Sequence, residues 1–167
     1  MDHLWTPWRS TYLSDTRDKS RCIFCVAAES QEDEKNLVVH RAEFNFLILN
    51  RYPYTSGHLM IAPYRHVSRL NQADEETTSE MMHLARQAEK TLEAVYRPQG
   101  LNIGMNLGEA AGAGIEQHIH LHILPRWFGD ANFMTAIGDA RVIPEALENT
   151  YAKVKAGLAG LAAMSAE

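Results

Sequence analysis

The chain has 167 residues, 46% of them hydrophobic and 22% charged. That balance excludes a fibrous or largely disordered chain and suffices for one core. Sixteen basic against 21 acidic residues give a net charge of −5, so the basic excess that binds nucleic acid or anionic membranes is missing. No apolar run approaches the roughly 18 residues of a membrane span. The opening Met1-Asp2-His3-Leu4-Trp5 lacks the basic and apolar regions of a secretory signal. Two cysteines, Cys22 and Cys25, are too few for a disulfide scaffold, and a cytoplasmic protein is expected.

Residues 1–21 are polar and aromatic by turns (Trp5, Trp8, Tyr12) and without period. They read as an arm laid over a surface, a second subunit being one such surface. Asn36–His40 and Glu43–Leu49 are rich in aliphatic, β-branched and aromatic residues and predict a hairpin around Arg41-Ala42. Arg51–Gly57 is a loop marked by Pro53 and Gly57, and His58–Ala62 resumes as a strand that Pro63 ends. From Asp74 to about Arg97, Met81, Leu84, Ala85, Ala88, Leu92, Val95 and Tyr96 recur at three and four residues, which predicts a long amphipathic helix. Asp74 suits its N-cap, and Pro98 and Gly100 stop it. Leu101–Leu107 alternates as a strand, Gly108–Gly114 is a glycine- and alanine-rich loop, and His118–Arg126 alternates again. A second helix from about Pro144 to Ala163 closes the chain. Hairpin-length connections favour an α+β fold, with a mostly antiparallel sheet of about five strands and the long helix packed on it.

The sharpest feature is His118-Ile119-His120-Leu121-His122-Ile123-Leu124. Strand side chains alternate between faces, so the three histidines share one face and Ile119, Leu121 and Ile123 share the other. Three imidazoles in a row suit a metal site or acid, base and nucleophile work. The Gly108–Gly114 loop before them lets backbone N–H groups approach an anion.

His118–Leu124 resembles the H-φ-H-φ-H-φ-φ signature of the histidine triad (HIT) family of nucleotide hydrolases and transferases. Leu49-Asn50-Arg51 followed by Gly57–Pro63 resembles the family's upstream strand-loop-strand, and Leu124-Pro125-Arg126-Trp127 its exit from the triad strand. The resemblance runs from about Cys22 to Phe133, which makes 1–21 an N-terminal arm, 22–133 the HIT core and 134–167 a C-terminal helical extension of one domain. Leu4–Arg9, Asn106-Leu107-Gly108 with Ala111–Gly114, and Arg126–Phe133 are similar to the bacterial diadenosine polyphosphate phosphorylase branch.

The resemblance implies residue roles. His120 is the expected nucleophile, forming a nucleotidyl-histidine on the α-phosphorus. His122 is expected to donate to phosphate oxygens, and His118 to hold geometry or a metal. Asn50 matches the ribose contact and His58 a histidine supporting the nucleophile's surroundings. Asn106 stands near the scissile phosphate, with Gly112, Ala113, Gly114 and Gln117 as further substrate-binding positions. Gly114 replaces the Gln or Ser of some relatives, which leaves one phosphate contact to the backbone. Phe46 and Leu49, with Phe44, are expected against the base, although plain core is an equal reading for each.

Cys22-Ile23-Phe24-Cys25 has the knuckle spacing of a zinc site, and two thiolates alone leave it incomplete. The resemblance completes it with His66 and His118, giving a structural zinc; two reduced cysteines packed together is the other reading. The leading function is phosphorolysis of diadenosine tetraphosphate to ADP and ATP. Inorganic phosphate is then a second substrate, with no organic cofactor and with magnesium admitted only alongside the polyphosphate. Hydrolysis of a nucleoside phosphoramidate or dinucleoside polyphosphate is the alternative, and a nucleotide-binding module without turnover a third. A homodimer is expected, with neither nucleic acid nor membrane as partner.

Overall fold

The structure, a computed structural model, describes residues 21–130 and 145–164. Trp5, Trp8 and Tyr12 of the expected arm, Asn132-Phe133 and the expected helix start at Pro144 lie outside them. In chain order the elements are α1 (Ile23–Glu29), α2 (Asp33–Asn36), β1 (Val38–Arg41), β2 (Asn45–Leu49), β3 (Leu59–Pro63), α3 (Glu75–Tyr96), β4 (Gly100–Gly104), β5 (Leu121–Arg126) and α4 (Leu147–Met164), with short 3₁₀ turns at Leu70–Gln72 and Glu109–Ala111. The five strands form one sheet in the order β1-β2-β3-β5-β4. Every neighbouring pair is antiparallel, including β3 and β5, which α3 and β4 separate in the chain.

Helix α3 begins where expected: the Asp74 carboxylate accepts from the Thr77 N–H at 2.9 Å. Met81, Leu84, Ala85, Ala88 and Leu92 are buried along one stripe, which packs on β2, β3 and β5. Arg97 ends the helix in the left-handed region, its N–H bonded to the Glu93 carbonyl. Helix α4 lies against α3 and β1. They cross closely at Gly157, where a Cβ would stand 2.8 Å from Val95 and 2.9 Å from Thr91.

Three strand starts differ from expectation for a hydrogen-bonding reason. Asn36-Leu37 belongs to α2, not to the first strand: Leu37 caps that helix at φ 63° and donates to the Asp33 and Glu34 carbonyls. The second strand starts at Asn45 because the Glu80 carboxylate of α3 takes the N–H groups of Glu43, Phe44 and Asn45 at 2.8–2.9 Å. Strand β5 starts at Leu121, three residues after His118. Continuing its register would set Ile119 opposite Pro63, which has no N–H; the Ile119 N–H bonds the Val67 carbonyl instead.

Register assigns the faces. The side chains of Leu92, Tyr96 and Pro125 all come within 3.2 Å of a Cβ built on Gly57 (φ +79°). Pro125, and with it Leu121 and Ile123, therefore face α3. His120 and His122 point to the opposite face. Met60 pairs with His122 and Ile48 with Met60, so Phe46, Ile48 and Met60 share the histidine face. Leu47 and Leu49 lie under α3.

Candidate active site and metal centre

His118, His120 and His122 alternate as expected, although only His122 lies within the assigned strand. Their rings form a row with His58 at the far end: 4.7 Å between the His120 and His122 centroids and 5.1 Å between His122 and His58. His118, His120 and His58 are buried and His122 half-buried. Burial disfavours the charged ring, and the His120 beside it adds to this, so His122 is pushed down to about 4. Burial likewise holds His120 below the ordinary histidine value, against the opposing hydrogen bond to the His118 carbonyl. His118 is lowered by burial too, against its bond to the Pro63 carbonyl.

Neutral imidazoles carry one proton each, and the partners decide where it sits. His120 Nδ1 is 2.9 Å from the His118 carbonyl. A carbonyl only accepts, so the proton is on Nδ1 and Nε2 keeps its lone pair. His118 Nε2 is 2.9 Å from the Pro63 carbonyl, so its lone pair is on Nδ1. His58 Nδ1 accepts from the Tyr54 backbone N–H at 3.2 Å. Its proton is therefore on Nε2, which donates to His122 Nδ1 at 2.9 Å. His122 then carries its own proton on Nε2. The row thus presents a nucleophilic lone pair on His120 beside an N–H donor on His122, each set by groups that cannot reverse roles. That is the equipment for attack on an electrophilic centre whose oxygens gain charge.

The remaining expected residues fall unevenly around this row. Asn50 joins it: its Nδ2 lies 3.3 Å from His58 Nδ1, and its Oδ1 accepts from the Tyr52 N–H. Asn106 reaches the Gly112 carbonyl at 3.4 Å and braces the glycine-rich loop. The Gly112 and Ala113 N–H groups close that loop's own turns onto Glu109 and Gly108, so in this conformation they are not turned to an anion. Gly114 and Gln117 are exposed, with Gln117 on Glu116. Phe46 is buried on the histidine face, its ring tilted against that of Tyr64 with centroids 5.4 Å apart. Leu49 must be corrected: three positions from Phe46, it points to the α3 face and is core. Sequence reasoning missed Tyr54, whose ring lies 4.8 Å from His58, and Ile48 and Met60. Only the register reveals which side Ile48 and Met60 face, and Tyr54 sits in the loop before β3.

At the other end of the row, Cys22, Cys25, His66 and His118 gather with all four ligand atoms within 4.8 Å of one another. Cys22 Sγ is 3.4 Å and Cys25 Sγ 3.7 Å from His118 Nδ1, and Cys25 Sγ is 3.2 Å from His66 Nδ1. A sulfur–nitrogen edge of a tetrahedral centre is about 3.5 Å. The donor atom His118 offers is the one its tautomer leaves unprotonated. Burial, and then the neighbouring Cys22, push the Cys25 thiol up to about 11, and a bound cation would reverse that cost. The residues present fit a tetrahedral metal ion.

Comparison with known proteins agrees with this geometry. The HIT domain family profile matches residues 31–129. The chain is 40% identical over 157 residues to an AP-4-A phosphorylase of Mycobacterium tuberculosis H37Rv, covering 90% of this chain and 80% of that one. A solved Zn-bound histidine triad family protein from Mycobacterium smegmatis superposes with a TM-score of 0.69 at 28% identity, over 90% of this chain and all of that one. A hypothetical histidine triad nucleotide-binding protein from Sulfolobus tokodaii gives 0.65 at 25%, over 84% and 93%. The chain belongs to the histidine triad family. Among its described residues, no helix is long and apolar enough to cross a membrane.

Proposed function

We propose that the chain is a dinucleoside polyphosphate phosphorylase that cleaves diadenosine tetraphosphate with inorganic phosphate to give ADP and ATP. The observation that carries this reading is the proton arrangement of the histidine row: a lone pair on His120 Nε2 next to a donor on His122 Nε2. The likeness to the mycobacterial AP-4-A phosphorylase supports the substrate.

The reaction runs in two in-line displacements. His120 Nε2 attacks the α-phosphorus; the N–P bond forms as the P–O bond to the departing ATP breaks. The His122 Nε2–H donates to the phosphoryl oxygens as charge accumulates on them. An oxygen of inorganic phosphate then attacks the same phosphorus, the P–N bond breaks, and ADP leaves. The row is rigid because Leu121 and Ile123 are locked in the core behind it, and in-line attack tolerates little misplacement. In this reading Asn50, next to His58, meets the ribose, Asn106 meets the scissile phosphate, and Gly114 and Gln117 make further substrate contacts. Phe46, Ile48 and Met60 line the face on which the base lies.

Cys22, Cys25, His66 and His118 would hold a zinc ion that braces α1 against the triad. The two thiolates and two imidazoles complete a closed four-ligand set, as in structural zinc sites. Zinc has no part in the phosphoryl steps, magnesium enters only with the polyphosphate, and no organic cofactor is needed. The chain acts as one HIT domain with a terminal arm and helical extension. It is a cytoplasmic homodimer that binds neither nucleic acid nor membrane. The edge position of β4, with Ile103 exposed, supports the dimer. Product analysis with diadenosine tetraphosphate tests the reading. ADP plus ATP formed only when phosphate is present supports it; AMP plus ATP without phosphate makes the protein a hydrolase.

A further inference from the structure

Helix α1 is too short to stand alone and carries no side-chain cap. Its Cys22 stands at the N-cap position, yet its sulfur is turned to His118 instead of to the helix N–H groups. Between the two cysteines, Phe24 points inward and is fully buried. Its ring centroid lies 4.8 Å from that of His120 and 5.2 Å from that of His118, in tilted arrangements. Phe24 therefore covers the flank of the one imidazole whose free nitrogen must be aimed.

We propose that Phe24 is a positioning residue for the His120 ring, pressed into place by a helix whose two cysteines are tied to His118 and His66. A single hydrogen bond to the His118 carbonyl fixes His120 Nδ1 as a point but leaves the ring free to swing about that contact. The neighbouring His122 touches one side at 73°, and Phe24 at 39° closes another. An apolar ring there also withholds any donor that could compete for the His120 lone pair. The cysteine cluster and the nucleophile are thereby joined through one side chain, without a metal taking part in the chemistry.

This inference rests on His120 being the nucleophile, and its test separates the two. Phe24→Leu keeps an apolar side chain and removes the flat ring. Leu84→Ala, a buried change on α3, which packs on the sheet face opposite His120 and His122, serves as a destabilised control. Steady-state kinetics with diadenosine tetraphosphate and phosphate are combined with ¹⁵N-detected NMR of the His120 imidazole in the protein as purified. We expect Phe24→Leu to lower kcat roughly 10- to 100-fold with KM within about twofold. The hydrogen-bonded Nδ1–H signal of His120 should broaden or exchange faster. Leu84→Ala should melt lower yet keep kcat and that signal. An unchanged His120 signal in Phe24→Leu, a kcat within twofold of the parent, or an effect confined to KM overturns the proposal. The last outcome would make Phe24 a wall for the ligand. If His120→Gly keeps turnover, the nucleophile assignment fails, while the NMR comparison still decides the seating.

Discussion

At the scale of single residues, His58 decides what His122 can do. The Tyr54 N–H forces the His58 proton onto Nε2, and that proton forces the His122 proton onto its own Nε2. His58→Leu frees His122 to take either tautomer, and half of its encounters then present no donor. Loss of one placed donor in a phosphoryl or acyl site costs on the order of 10²–10³ in rate, so with half of His122 in the donor-less tautomer kcat should fall about twofold. ¹⁵N shifts should then report mixed His122 tautomers. A variant with parental kcat and an unchanged His122 spectrum would remove His58 from the account. The histidine row itself was legible in the sequence because its period of two matches a strand. The proton positions were not, since they depend on the Pro63 and His118 carbonyls and on one amide in the Arg51–Gly57 loop. The base-facing assignment failed for Leu49 through parity: Phe46 and Leu49 lie on opposite faces, and only the register with β3 says which is which.

At the scale of elements, α3 was readable from end to end because its stripe, cap and stop agree. One of its polar positions carries a task that no local pattern announces. Glu80 reaches 35–37 residues back and holds the β1–β2 turn through three backbone N–H groups and the Asn45 side chain. Burial opposes its ionisation, but the hydrogen bonds from Asn45, Phe44 and Glu43 outweigh it and hold the carboxyl below the usual range. A carboxyl depressed in the folded state contributes stability that is complete above its unfolded value, near 4.5. That contribution is lost as pH falls through the lower, folded value. Glu80→Gln should therefore lower the melting temperature by several degrees at pH 7, since hydrogen bonds to a charged group are worth about 1.5–3 kcal/mol. The gap from the parent should narrow below about pH 4, as melting curves between pH 7 and pH 3 would show. A gap that stays constant with pH would mean that the carboxylate's charge is not what holds the turn. Helix α1 escaped detection for the opposite reason. Its seven residues are too few for a period, and its stability comes from the cysteines and the buried Phe24.

At the scale of the molecule, the fold holds a chemical row between two anchors. One is the cysteine–histidine cluster at His118; the other is the loop through Tyr54 and His58. If the first binds zinc, the purified protein carries about one equivalent, and Cys22→Ser lowers both the metal content and the melting temperature. Metal analysis that finds parental zinc in Cys22→Ser protein would place the ion elsewhere. The central claim is that His120 takes the nucleotide covalently, and it can be read directly. The protein is mixed with diadenosine tetraphosphate labelled at the α-phosphorus, without inorganic phosphate, and denatured in alkali, which preserves a phosphoramidate. Peptide mass spectrometry should find one nucleotidyl group per chain on His120. The label should leave as ADP when phosphate is added before denaturation, and His120→Ala protein should carry none. Label on another residue, or label retained by His120→Ala, would contradict the account.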